Sequence, residues 1–143
     1  MPTRKAHARW EGSLKEGEGK VDFGNGAFKG AYSFVSRFEE GAGTNPEELL
    51  GAAHATCFAM ALSLVLGQAG FKPEYVDATA HVTVAPRDGG FKITKSHLVC
   101  EASVPGIDHA TFMQHAQAAK AGCPVSQALA GTEITLEARL AGK

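Results

Sequence analysis

The chain has no Cys-x-x-Cys pair. Its three cysteines, Cys57, Cys100 and Cys123, lie far apart in 143 residues, which excludes the usual zinc-ribbon and thioredoxin spacings and does not resemble a disulfide framework. An excess of one charge is also missing: 14 Lys and Arg stand against 15 Asp and Glu, and no basic run occurs, so neither nucleic acid nor an anionic membrane surface has an electrostatic footprint. No internal repeat, low-complexity segment or interdomain linker interrupts the sequence, and residues 1–143 read as one domain able to bury about 70% of the surface its unfolded form exposes. No apolar stretch follows the basic start Met1-Pro2-Thr3-Arg4-Lys5, so a secretory signal is not expected. The cytoplasm is the default compartment, where each cysteine is a thiol.

What the chain does have is one long apolar run, Asn45 to Gly67, with Cys57 at its middle. Asn45 can cap a helix there, Pro46 sits at the first helical position where its missing N–H costs nothing, and Glu47 and Glu48 meet the positive end of the helix dipole. From Leu49 to Leu66 the only polar side chains are His54, Thr56 and Ser63, so nearly the whole circumference is expected to be hidden from water, with Gly67 as a stop. Leu49 to Gly67 carries no formal charge, but the acidic, capped entry and the small residues Gly51, Ala52, Ala53 and Ala55 argue against a membrane span. A helix buried all round in a small protein asks for sheets on several sides and a second subunit to complete the covering.

Around it the chain reads mostly as strands. Residues 6–11 alternate, with Trp10 on the face that packs; Val21 to Phe23 makes a second strand, and Gly24-Asn25-Gly26 turns the chain. A third strand is expected over Ala31 to Phe38, which puts Arg37 on the same face as Val35. Val76 to Val84 and Phe91 to Val104 alternate cleanly on either side of Pro86-Arg87-Asp88-Gly89-Gly90. Asp108 caps a helix whose apolar stripe is Phe112, Met113, Ala116 and Ala119, ending at Gly122. Cys123 then occupies the capping slot ahead of Pro124, starting a short helix, and Thr132 to Leu140 is a final strand. Parallel strand–helix–strand repetition is absent, and the fold expected is α+β, an antiparallel sheet wrapped over a long central helix.

Two of the thiols have contrasting surroundings. Cys123, at a helix start, faces N–H groups that favour a thiolate, whereas Cys57, mid-helix among apolar residues, has a raised pKa unless a cation is delivered to it. Cys100 reads as a small core residue. His54 and Cys57, three apart, could share a face as helical metal pairs do, but third and fourth ligands are not evident, and no cofactor or metal is expected. Three classes remain open on the residues alone: a thiol redox enzyme, a cysteine-dependent hydrolase and a non-catalytic small-molecule-binding dimer. Redox chemistry needs least: a thiolate to attack, a thiol to resolve and a cation to hold the first.

The run Gly43-Thr44-Asn45-Pro46-Glu47-Glu48-Leu49-Leu50-Gly51-Ala52-Ala53-His54-Ala55-Thr56-Cys57-Phe58, with the later Ala121-Gly122-Cys123-Pro124-Val125-Ser126-Gln127, resembles the OsmC/Ohr family of thiol peroxidases. Trp10-Glu11-Gly12, Ser36-Arg37-Phe38-Glu39 and Val104-Pro105-Gly106-Ile107-Asp108 extend the resemblance nearly end to end, and Gly-Ala-Ala-His favours the OsmC branch. The resemblance implies an intertwined homodimer with sites at its interface. Its activity would be reduction of organic hydroperoxides, and of hydrogen peroxide less well, with electrons from lipoyl groups or other dithiols. It assigns Cys57 as the cysteine that attacks peroxide, Cys123 as the resolving cysteine, Arg37 as the cation that holds the thiolate and Glu47 as the carboxylate that orients Arg37. Phe58, Met60 and Phe38 are candidates for a pocket that takes alkyl or acyl tails.

Overall fold

Asn45 starts the central helix by two side-chain bonds: its Oδ1 accepts from Glu48 N–H at 2.8 Å and its Nδ2 donates to the Ser36 carbonyl at 2.9 Å. The computed structural model, which describes residues 2–142, carries this helix (α2) without interruption from Pro46 to Gln68. The chain divides into two compact units, Met1–Leu49 and Leu50–Lys143.

In the first unit, strands β1 (Ala6–Glu11), β2 (Glu18–Phe23) and β3 (Lys29–Tyr32) form an antiparallel meander. The Trp10 and Tyr32 rings meet at a tilt, 5.5 Å between centroids, over Gly19, where an added Cβ would come within 2.7 Å of both rings, so no larger residue fits beneath them. The strand expected over Ala31 to Phe38 stops at Tyr32, and Phe34–Phe38 is a one-turn helix, α1. A reciprocal cap decides it: Ser36 N–H donates to Ser33 Oγ at 3.1 Å while Ser33 N–H donates to Ser36 Oγ at 2.8 Å. Arg37 therefore projects from a helix rather than from a strand face.

The second unit is built on a mixed sheet of β4 (Tyr75–Arg87), β5 (Gly90–Ser103) and β6 (Glu133–Leu140). β4 and β5 pair antiparallel through a two-residue turn in which Asp88 (φ 50°) and Gly89 (φ 80°) both take positive φ. β6 pairs parallel to β5, a correction to the antiparallel sheet expected. The reason is the intervening α3 (His109–Gly122), long enough at about 21 Å to carry the chain back along the sheet, followed by the single turn α4 (Pro124–Ala128). Asp108 caps α3 as expected, accepting from Thr111 N–H at 3.1 Å.

Phe58, Leu62 and Leu66 of α2, Leu98, Cys100 and Ala102 of β5, and Phe112, Ala116 and Ala119 of α3 share one buried core. Gly51 lets α2 lie close on β4: a Cβ there would meet the Ala80 carbonyl oxygen at 3.3 Å. By length and apolarity α2 could cross a membrane, yet one of its faces is committed to this core. Its other face is not covered. Ala52, Ala53, Thr56, Met60 and Leu64 are exposed, Met60 at 75% and Leu64 at 60%, where nearly complete burial was expected.

Candidate active site

Two groups of functional side chains are formed, one in each unit. In the first, Arg37 donates from Nε to Glu47 Oε1 and from Nη2 to Glu47 Oε2, both at 3.0 Å, a two-pronged pair in which Glu47 is 7% exposed. The caps described above fix both ends: Ser33 and Ser36 hold α1, Asn45 ties the start of α2 to the Ser36 carbonyl, and Ser36 Oγ donates to the Thr44 carbonyl at 2.7 Å. The guanidinium lies 5.1 Å from the Phe38 ring centroid. Its remaining nitrogen, Nη1, has no hydrogen bond among the described residues. Arg37 borders a cleft of about 230 Å³ lined chiefly by the aromatic and aliphatic side chains of Trp10, Leu14, Tyr32, Phe34 and Phe38. Of the tail-pocket candidates, Phe38 lines this cleft, Phe58 is fully buried core and Met60 is on the exposed face of α2.

The second group centres on Cys57 and Cys123, which lie near each other as free thiols and shift each other's ionisation. Burial raises the Cys57 thiol above its ordinary value, and donating its S–H to Cys123 raises it further, against a backbone hydrogen bond from Val125 that works the other way. Burial opposes ionisation of Cys123 too. There, hydrogen bonds from Cys57, from the Ser126 backbone and hydroxyl and from the Val125 backbone outweigh it and leave this thiol below its ordinary value. The contrast read from the sequence is present, although α4 is one turn long and the Cys57 thiol, ahead of the local donors of Ser126 and Val125, produces it rather than a long helix dipole. Cys123 is fully buried, whereas Cys57 is only half-buried. Cys100 is sealed in the core, where burial pushes its thiol up to about 11.

His54, weighed as a metal partner of Cys57, has both ring nitrogens engaged by serines: Nδ1 lies 2.7 Å from Ser96 Oγ and Nε2 2.8 Å from Ser126 Oγ. Among the described residues no group of three or more His, Cys, Asp or Glu is arranged to hold a metal ion. The two serines were missed in the sequence, being 42 and 72 residues from His54, with no spacing signal to link them.

A family model described as OsmC-like protein matches residues 39–138. The chain is 54% identical to Peroxiredoxin OsmC of Escherichia coli (strain K12) over 138 residues, covering 96% of each. It is 36% identical to an organic hydroperoxide resistance protein of Xanthomonas axonopodis pv. citri over 98 residues, covering 67% of each. Among solved structures, the organic hydroperoxide resistance protein OhrB of Bacillus subtilis superposes with a TM-score of 0.77 at 27% identity, covering 96% of this chain and 98% of that one. An organic hydroperoxide resistance protein OsmC of Legionella pneumophila gives a TM-score of 0.69 at 25% identity, over 94% and 96% of the two chains.

Proposed function

The chain belongs to the OsmC family and is a cysteine-based peroxidase, and from that premise we propose that Cys57 attacks the peroxide, Cys123 resolves it, and Arg37, oriented by Glu47, supplies the positive charge. The observation that carries the reading is the closeness of a half-buried and a fully buried thiol, each of which shifts the other's ionisation. The Cys57 thiolate attacks the distal oxygen, the O–O bond breaks, and the alkoxide leaves with a proton as alcohol. The resulting sulfenic acid is attacked by Cys123; the S–S bond forms and water departs. A dithiol, lipoyl-type or other, returns the two electrons by thiol exchange. The aromatic cleft beside Arg37 suits an organic hydroperoxide with a bulky tail better than hydrogen peroxide. The reducing cytoplasm is the compartment this cycle fits.

One equivalent of organic hydroperoxide is expected to produce a single intramolecular bridge, Cys57 to Cys123, with Cys100 recovered as a free thiol. Peptide mapping after denaturing alkylation reads this out, because the burial of Cys100 prevents labelling in the folded protein. A major product containing Cys100 removes the two-cysteine assignment.

We read the active species as a homodimer. Glu47 and Cys57 are ten positions apart on one unbroken helix, a rise of about 15 Å, too far for both to hold one guanidinium. The Arg37–Glu47 pair of one subunit therefore serves Cys57 of the other in this reading. The exposed apolar face of α2 supports it, since covering Met60 and Leu64 contributes about 1.5–3 kcal/mol for each side chain fully buried. Sedimentation at assay concentration is expected to give a dimer. A stable, fully active monomer rules out the shared site.

A further inference from the structure

Among the described residues His54 is the one histidine buried completely, and the proposed chemistry leaves it without a task. A neutral imidazole has one N–H, so its two serine contacts cannot both be of the same kind. Burial keeps the ring neutral, moving its pKa below the ordinary value. Ser126 Oγ lies against His54 Nε2, Ser126 follows Cys123 by three residues on the single turn α4, where its hydroxyl is among the groups that lower the Cys123 thiol, and a hydroxyl has one proton to give. If that proton goes to sulfur, Oγ must accept from Nε2–H, and Nδ1 must then accept from the Ser96 hydroxyl. With Cys123 ionised, one order satisfies every group: Ser96 donates to His54, His54 to Ser126, and Ser126 to Cys123. Among the described residues no buried side-chain nitrogen or oxygen lacks a partner, so the imidazole and both serine hydroxyls are satisfied.

We infer that His54 is a positioning residue that aims the Ser126 hydroxyl at Cys123, so that Ser96, His54 and Ser126 form a directional hydrogen-bond chain supporting Cys123 as the attacking thiolate. This rests on the reading in which Cys123 resolves the sulfenic acid on Cys57. In that step the Cys123 thiolate forms the S–S bond, the S–O bond of Cys57 breaks, and the departing hydroxide takes up the proton that Cys123 released. When the thiol holds its proton, the order reverses: S–H donates to Ser126, Ser126 donates to Nε2, and the ring proton moves to Nδ1. The ring tautomer thus follows the charge on Cys123. The groups that shift Cys123 are Cys57 on α2 and Val125 and Ser126 on α4.

The first test uses the full chain carrying Cys57→Ser and Cys100→Ser, in which Cys123 alone titrates as a thiol. Nitrogen NMR of His54 is expected to show the ring proton moving from Nδ1 to Nε2 as Cys123 ionises. A tautomer that does not change through that titration overturns the inference, whatever the peroxidase roles prove to be. The second test keeps all three cysteines and compares Ser126→Ala with Ser126→Thr. Ser126→Ala is expected to slow capture of the Cys57 sulfenic acid about tenfold relative to peroxide attack, with recovery in Ser126→Thr. Equal slowing of both steps, or no slowing of capture, overturns it.

Discussion

Cys57→Ser is expected to abolish turnover, and Cys123→Ser to consume about one peroxide per site and then stall as a sulfenic acid. The assignment is not the one that acidity alone selects, because Cys123 has the lowered pKa and Cys57 the raised one. Access decides between them. A peroxide must bring its distal oxygen to the attacking sulfur, and Cys123 has no exposed surface while Cys57 retains some. Stopped-flow peroxide consumption with each variant separates the possibilities. If Cys123→Ser is inert and Cys57→Ser gives the single turnover, the two roles must be exchanged.

Arg37→Ala is expected to raise the Cys57 pKa by about 1–3 units, equivalent to about 1.4–4 kcal/mol, and to slow peroxide attack in step. Cys57 carries the burden of burial and of donating its proton to Cys123, so the charge that overcomes both must come from a cation. Arg37 is suited to that, because Glu47 occupies Nε and Nη2 and thereby points Nη1 in a fixed direction. The same nitrogen can donate to a peroxide oxygen as negative charge builds there. Lysine cannot reproduce the two-pronged grip, and Arg37→Lys is expected to recover only part of the loss. The readout is the pH profile of Cys57 alkylation beside the rate constant for peroxide. An unchanged profile would reduce Arg37 to a surface residue.

The parts of this fold that were legible in the sequence are those fixed by neighbours in the chain. Asn45-Pro46-Glu47-Glu48 announced the start of α2, Asp108 the start of α3, and Asp88-Gly89 the hairpin, because capping and positive φ are properties of a few adjacent residues. At α1 the same kind of signal was present and was overruled. Phe34 and Phe38 read as strand residues, but the reciprocal bonds of Ser33 and Ser36 close a helical turn instead. The direction of β6 depended on how far α3 carries the chain, which no local pattern states. The face of α2 that packs was hidden by its uniformity: an apolar helix has no polar stripe to mark its outside. His54 shows the limit most plainly, since its partners on β5 and α4 are adjacent only after folding.

The burial of Cys100 has a consequence for the order in which bonds can form. Three thiols allow three pairings, and a protein that meets oxidant repeatedly would otherwise sample all of them until one trapped it. Here the excluded sulfur sits in β5 with 1% exposure and a pKa near 11, so it is both out of reach and nearly always protonated at neutral pH. Two of the three pairings then require the core to open first. The fold acts as a filter on its own oxidation chemistry, and each catalytic cycle returns to the same covalent starting point.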